Sequence, residues 1–165
     1  MFKTYNASAG SGKTTNLVAE YLTICLQNPA ENFRHVLAVT FTNNATAEMK
    51  DRIIHTLNDF AFTEPATWDF WEEQTPATRK QLGRSHFIHK TTQRLSGLDS
   101  QTIRDRSETL LENILARYPD FAVSTIDSFF QRIVRSFAFD LGLSLDFNVE
   151  VTLDDYFQQT VDLLY

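Results

Sequence analysis

The chain has 165 residues, 42% of them hydrophobic, and a formal net charge of −6. That length fits one domain with the beginning of another. It holds no apolar run long enough to cross a membrane and no secretory h-region at the N-terminus. The single cysteine, Cys25, excludes an intrachain disulfide framework. The expected location is the cytoplasm, with no membrane partner. Net acidity argues against nucleic-acid binding by bulk charge, yet the acid is unevenly spread. Six acidic residues and no Lys or Arg follow from Asp140 onward, leaving 15 acidic against 15 basic residues in the first 139. A local nucleic-acid track on the first 139 residues therefore stays open.

A short apolar run, Phe2 to Tyr5, reads as a strand. Ala7-Ser8-Ala9-Gly10-Ser11-Gly12-Lys13-Thr14 follows, and then a helical pattern from Thr14 to Leu26. Strand, glycine loop and helix in that order are the context a phosphate-binding loop requires. Consecutive backbone N–H groups in a tight loop form a concave anion site, and the helix N-terminus behind it favours negative charge. Gly10 and Gly12 let the backbone approach a phosphate closely. Lys13 is the candidate catalytic residue, with its ammonium on the β- and γ-phosphates of a nucleotide. Ala7 through Thr15 form the candidate nucleotide site, and the Thr14 hydroxyl is the candidate Mg²⁺ ligand. The pattern usually begins with Gly, where this chain has Ala7.

Leu17, Val18, Tyr21, Leu22, Cys25 and Leu26 give the first helix one buried stripe, with Cys25 in the core and Asn28-Pro29 as the stop. A loop through Asn32 leads to Val36-Leu37-Ala38-Val39, an unbroken apolar run that suits a strand covered on both faces of a parallel sheet. Strand, helix, strand is then a right-handed crossover unit. The second strand runs into Thr40, Phe41, Thr42 and Asn43 on the sheet edge where open α/β folds bind ligands. The hydroxyls and the amide suit phosphates, and Phe41 offers a face for base stacking. An N-cap is the local alternative for Thr42 and Asn43. Ala45, Met49, Ile53, Leu57 and Phe60 form the inward stripe of the next helix.

The phosphate loop, followed by Val39-Thr40-Phe41-Thr42-Asn43-Asn44-Ala45-Thr46-Ala47-Glu48-Met49-Lys50-Asp51-Arg52-Ile53, resembles the first two motifs of UvrD/Rep-type superfamily 1 DNA helicases. The wording of both is most similar to the RecB/AddA helicase–nuclease branch. The resemblance implies that the first motif binds ATP with Mg²⁺ and that the second contacts single-stranded DNA.

Residues 61–120 read as a helical insertion. Pro65, Trp68, Phe70 and Trp71 lie among Glu64, Asp69, Glu72 and Glu73. A basic helix is expected over about 77–95, with Arg79, Lys80, Arg84, Lys90 and Arg94 either tracking a phosphate backbone or forming a solvated face. A second helix is expected over 100–118, capped by Asp99 and ended by Pro119, with Ile103, Leu110, Leu111, Ile114, Leu115 and Tyr118 inward. His86 and His89 lack the further ligands that a metal site needs.

Phe121 to Ser124 returns to strand, followed by Thr125-Ile126-Asp127-Ser128-Phe129-Phe130. This resembles the third helicase motif, which implies DNA contacts for Thr125 and Ser128. Asp127 stands where His is common in the family. An acid there repels phosphate, so Asp127 is read as a helix cap. Its helix carries Phe129, Phe130, Ile133, Val134, Phe137 and Leu141 and ends at Gly142. Residues 145–151 alternate as a short strand, and an acidic helix opens at Thr152.

The expected fold class is α/β, a P-loop NTPase of RecA-like type: a partial parallel sheet with helices on both faces and a helical insertion. Residues 1–60 and 121–142 form the incomplete ATP-binding domain, 61–120 the insertion, and 143–165 the start of a further helical subdomain. No apolar strand ends in Asp-Glu, Asp154-Asp155 falls on a helix, and no second motor domain or adenine-reading glutamine is present. The resemblance therefore implies the N-terminal ATP-binding part of a larger 3′–5′ DNA helicase or helicase–nuclease of DNA repair or recombination. It would act on single-stranded DNA and duplex ends, with a partner subunit in the helicase–nuclease case, and the fragment alone would be nearly inactive. A small P-loop kinase, a stand-alone nucleotide-binding module and a domain with a vestigial loop are the alternatives.

Overall fold

A computed structural model describes residues 12–138 together with Gly142. The expected strand at Phe2–Tyr5, the loop residues Ala7, Ser8, Ala9, Gly10 and Ser11, and the strand and helix expected after residue 144 lie outside the described residues. Two units divide the chain, Met1–Thr125 and Ile126–Tyr165.

In the first unit the order is α1 (Lys13–Cys25), α2 (Asn32–His35), β1 (Ala38–Thr40), α3 (Asn43–Phe62), α4 (Pro65–Asp69), α5 (Pro76–Ser96), α6 (Ser100–Ala116) and β2 (Val123–Thr125). Single 3₁₀ turns occupy Trp71–Glu73 and Tyr118–Asp120. The described part is mostly helical, with one two-stranded parallel sheet. Ala38 pairs with Val123, Val39 with Ser124 and Thr40 with Thr125.

Side-chain chemistry sets the helix starts. Thr42, Thr75 and Asp99 each accept a hydrogen bond from the backbone N–H three residues on, which satisfies one of the four unpaired amides of a first turn. Pro76 then fits at the first helical position, where no N–H is needed. Gly97, at φ 72°, closes α5 in a conformation that suits glycine.

One core joins these helices. Val18, Tyr21, Leu22, Cys25 and Leu26 of the α1 segment pack with Met49, Ile53, Leu57 and Phe60 of α3, Ile88 of α5, and Ile103, Leu110 and Ile114 of α6. Each fully buried aliphatic side chain contributes about 1.5–3 kcal/mol. Burial also pushes the Cys25 thiol up to about 12, so it stays protonated and unreactive at neutral pH.

Several expectations are corrected. Leu17 is 49% exposed, while its neighbour Val18 is fully buried: at 100° per residue, adjacent apolar residues diverge and the narrower stripe wins. Leu115 is exposed beside buried Ile114 for the same reason, and Tyr118 is exposed because α6 ends at Ala116 and Tyr118 begins the 3₁₀ turn beyond it. The segment before β1 holds the short helix α2 rather than a loop. The strand begins at Ala38 and not at Val36. It is not covered on both faces: Val39 is 45% exposed, because alternate strand residues point to opposite sides and Ala38 is the one packed against the core.

The second unit's described part is α7 (Ile126–Ser136). Asp127 lies inside its first turn rather than at the cap, where a carboxylate still complements the helix dipole. The helix stops at Ser136, short of Gly142.

Candidate functional site

The N-terminus of α1 is the part of the candidate nucleotide site that the described residues include. Gly12 sits at φ 81°, and a Cβ there would meet nothing within 4 Å, so the backbone conformation rather than crowding calls for glycine. Its carbonyl accepts the first helical bond, from Asn16 N–H at 3.0 Å. Gly12 has no side chain to cap the helix, and no acidic residue stands in the first turn. Among the described residues no side chain caps the leading amides, and the positive end of the helix dipole there favours an anion. Lys13 is exposed on that turn, with Thr14 and Thr15 half-buried behind it. This donor set fits a polyphosphate. Because Ala7–Ser11 are outside the described residues, four of the nine nucleotide-site candidates are placed.

The far end of α1 is held as firmly. Arg106 of α6 donates through Nη1 to the carbonyls of Leu26 at 2.8 Å and Gln27 at 3.2 Å. A guanidinium on the terminal carbonyls satisfies acceptors that the helix leaves open and complements its dipole. Arg106→Ala is expected to cost about 1–2 kcal/mol, read as a lower urea midpoint with an unchanged m-value.

The second cluster is at the carboxyl end of β1. Thr40 Oγ1 lies 2.6 Å from Thr46 Oγ1 and 3.1 Å from the Thr42 carbonyl. Thr42 Oγ1 accepts from Ala45 N–H at 3.1 Å, and Thr46 Oγ1 donates to the Thr42 carbonyl at 3.2 Å. The hydroxyls of Thr40 and Thr42, expected to face phosphates, are thus first of all the internal bonds of this turn. Thr46 is the residue that sequence reasoning passed over; its i, i+4 spacing from Thr42 was the available signal. The turn leaves Phe41 87% exposed and Asn43 exposed beside it. Thr125, nine-tenths buried, pairs in register with Thr40 on the same sheet edge. Ser128 belongs to α7 in the other unit.

The basic helix α5 divides its charges. Arg79 donates to the Glu72 carbonyl. Lys80 and Arg84 line a cavity of about 670 Å³ between α3 and α5, together with Arg52 and His55. His86 stacks on Trp71 at 4.0 Å and His89 on Trp68 at 5.0 Å. Among the described residues no group of His, Cys, Asp and Glu is placed to hold a metal ion.

Burial pushes the His89 imidazole down to about 4, against the pull of Asp69. An unfolded chain takes up that proton near pH 6.5. Between pH 6.5 and 4 the unfolded state therefore holds more protons, and stability falls as pH falls. The contribution is complete above pH 6.5. A loss of about 2–3 kcal/mol on acidification to pH 4 is expected, and His89→Phe should flatten that slope in urea unfolding at pH 7, 5.5 and 4.5.

The UvrD/REP helicase N-terminal domain profile matches residues 5–164. Over 62 residues, 38% of this chain, the sequence is 39% identical to the ATP-dependent DNA helicase UvrD1 of Mycobacterium leprae. Over 54 residues, 31% of the chain, it is 48% identical to the ATP-dependent DNA helicase Rep of Escherichia coli. These stretches span 8% and 7% of those relatives. No solved structure gives a significant match. No helix among the described residues is long and apolar enough to cross a membrane.

Proposed function

We propose, for a chain that belongs to the UvrD/REP helicase N-terminal domain family, the role of ATP-binding front part of an ATP-dependent DNA helicase. The observation that supports this reading is the register of β1 on β2: Thr40 lies opposite Thr125, so the two segments that resemble helicase DNA-contact motifs meet at one sheet edge. In this reading the described strands belong to a RecA-like parallel sheet with helices on both faces. Residues 1–60 and 121–142 make the ATP-binding domain, 61–120 its helical insertion, and 143–165 open a further subdomain.

Ala7, Ser8, Ala9, Gly10, Ser11, Gly12, Lys13, Thr14 and Thr15 hold the ATP phosphates. Lys13 puts its charge where negative charge grows on the γ-phosphate. Thr14 offers its hydroxyl to Mg²⁺, which when bound neutralises phosphate charge. Phe41, exposed on its hydrogen-bonded turn, stacks on a base, while Thr40, Thr42, Asn43, Thr125 and Ser128 track the single strand. A second motor domain elsewhere in the complete protein supplies the remaining catalytic groups, and closure on ATP moves the strand. The finer assignment is a 3′–5′ enzyme of the RecB/AddA helicase–nuclease type, working with a partner subunit on duplex ends in cytoplasmic repair or recombination.

Two measurements test this reading. The native product should have an intact mass far above 19.0 kDa. It should also unwind a duplex with a 3′ tail in preference to one with a 5′ tail. A native product of 19.0 kDa would remove the helicase reading.

A further inference from the structure

The acidic, aromatic segment from Glu64 to Glu73 has no part in nucleotide or DNA binding as described above. It forms one wall of a cavity of about 400 Å³ whose other wall is α5. Both tryptophans of the chain line it. Trp71 lies flat on His86, with an interplanar angle of 5°, and Trp68 lies on His89 at 13°. Phe70, also in the lining, is 57% exposed.

The lining is acidic. Asp69, Glu72 and Glu73 stand against one cation, Lys90. One Asp69 oxygen accepts from the Ser100 hydroxyl. The Glu72 carboxylate meets Arg79 only at 3.6 Å with both side chains exposed, a contact worth little in water. Glu73 pairs with no cation among the described residues. Such a lining repels phosphate and selects a cation.

Two buried atoms add a second requirement. Trp68 and His89 are 5% and 2% exposed, and Trp68 Nε1 and His89 Nε2 have no hydrogen-bond partner. Buried polar groups are seldom left unpaired, because each costs about 1–3 kcal/mol. An indole N–H only donates, so it needs an acceptor. A guanidinium has none to offer, but the peptide carbonyl beside one does.

We propose that this pocket docks an arginine side chain presented by a protein partner. The planar guanidinium suits both features at once: it stacks on an indole face and forms paired hydrogen bonds with a carboxylate. The flanking peptide supplies acceptors that a free cation lacks, and Trp68 Nε1, closed off from solvent, meets one when the indole shifts on binding. The inference does not rest on the helicase reading, since no residue of the nucleotide or DNA cluster takes part.

The chain carries its own reporter, because its two tryptophans are both in this pocket. Intrinsic fluorescence is followed while acetyl-Gly-Arg-Gly-amide is added to the full chain. A saturable change is expected, about five- to thirtyfold tighter than for the uncharged citrulline peptide and weaker in high salt. N-acetylargininamide, with a shorter peptide flank, should bind less tightly than the tripeptide. Glu73→Gln should weaken binding about two- to fivefold and leave the far-ultraviolet circular dichroism unchanged, since Glu73 is an exposed residue. No saturable change, equal binding of the citrulline peptide, or the same response to a thymidine oligonucleotide would each overturn the proposal. Failure here would leave DNA-stimulated ATP hydrolysis by the complete protein unaffected, so the two readings fall separately.

Discussion

Lys13→Ala is expected to lower DNA-stimulated ATP hydrolysis by the complete protein about a hundred- to a thousandfold. The figure follows from deleting one preorganised positive group at the place where transition-state charge develops. Lys13 is the first residue of α1, exposed and outside the stripe that packs on the core. Its loss should therefore shift folding stability by no more than about 0.5 kcal/mol. That contrast separates a catalytic deficit from a folding one. Steady-state ATPase assays with saturating single-stranded DNA, paired with urea unfolding of the 165-residue chain, measure both. Activity within tenfold of the parent would contradict the role assigned to this lysine.

Phe60→Ala is expected to destabilise the chain by about 3–5 kcal/mol. Phe60 is fully buried. Its ring meets Trp68 edge-on at 5.8 Å and His89 at 5.1 Å, contacts worth about 0.5–1.5 kcal/mol each beyond area burial. It joins α3 to both α4 and α5, so truncation leaves a cavity that three helices must close together. Domains of this size have only about 5–15 kcal/mol in hand, so the variant should melt well below the parent. Phe62, two residues on, is 64% exposed, and Phe62→Ala should cost no more than about 0.5 kcal/mol. Equal losses for the two would mean that the register of α3 is wrong.

The contrast between Phe60 and Phe62 also shows what a sequence reveals. A 3.6-residue period identified Ala45, Met49, Ile53, Leu57 and Phe60 as one face; the last four are buried and Ala45 is half-buried. The start of α6 was equally plain, because Asp99 caps it with its own side chain. Where apolar residues adjoin, as at Leu17-Val18 or Ile114-Leu115, the period alone could not say which one turns inward. The helix α2 has four residues, too few for a period to register. Strand limits were set by pairing with a segment more than eighty residues away, and local composition carries no trace of that.

At the candidate site, the glycine–lysine turn was legible because its chemistry is local: φ, helix start and charge all reside in consecutive residues. The Thr40–Thr46 hydroxyl pair was not, because it depends on how tightly the turn closes. Nor was the Trp68–His89 stack, whose partners are joined only by the packing of α4 on α5.

The most direct measurement is ATP turnover by the complete native polypeptide with and without single-stranded DNA. Saturating DNA is expected to raise the rate at least about tenfold, and Phe41→Ala, which removes an exposed stacking face, to lower that stimulation. ATP turnover indifferent to DNA, with phosphate passed to a small acceptor instead of water, would contradict the helicase reading.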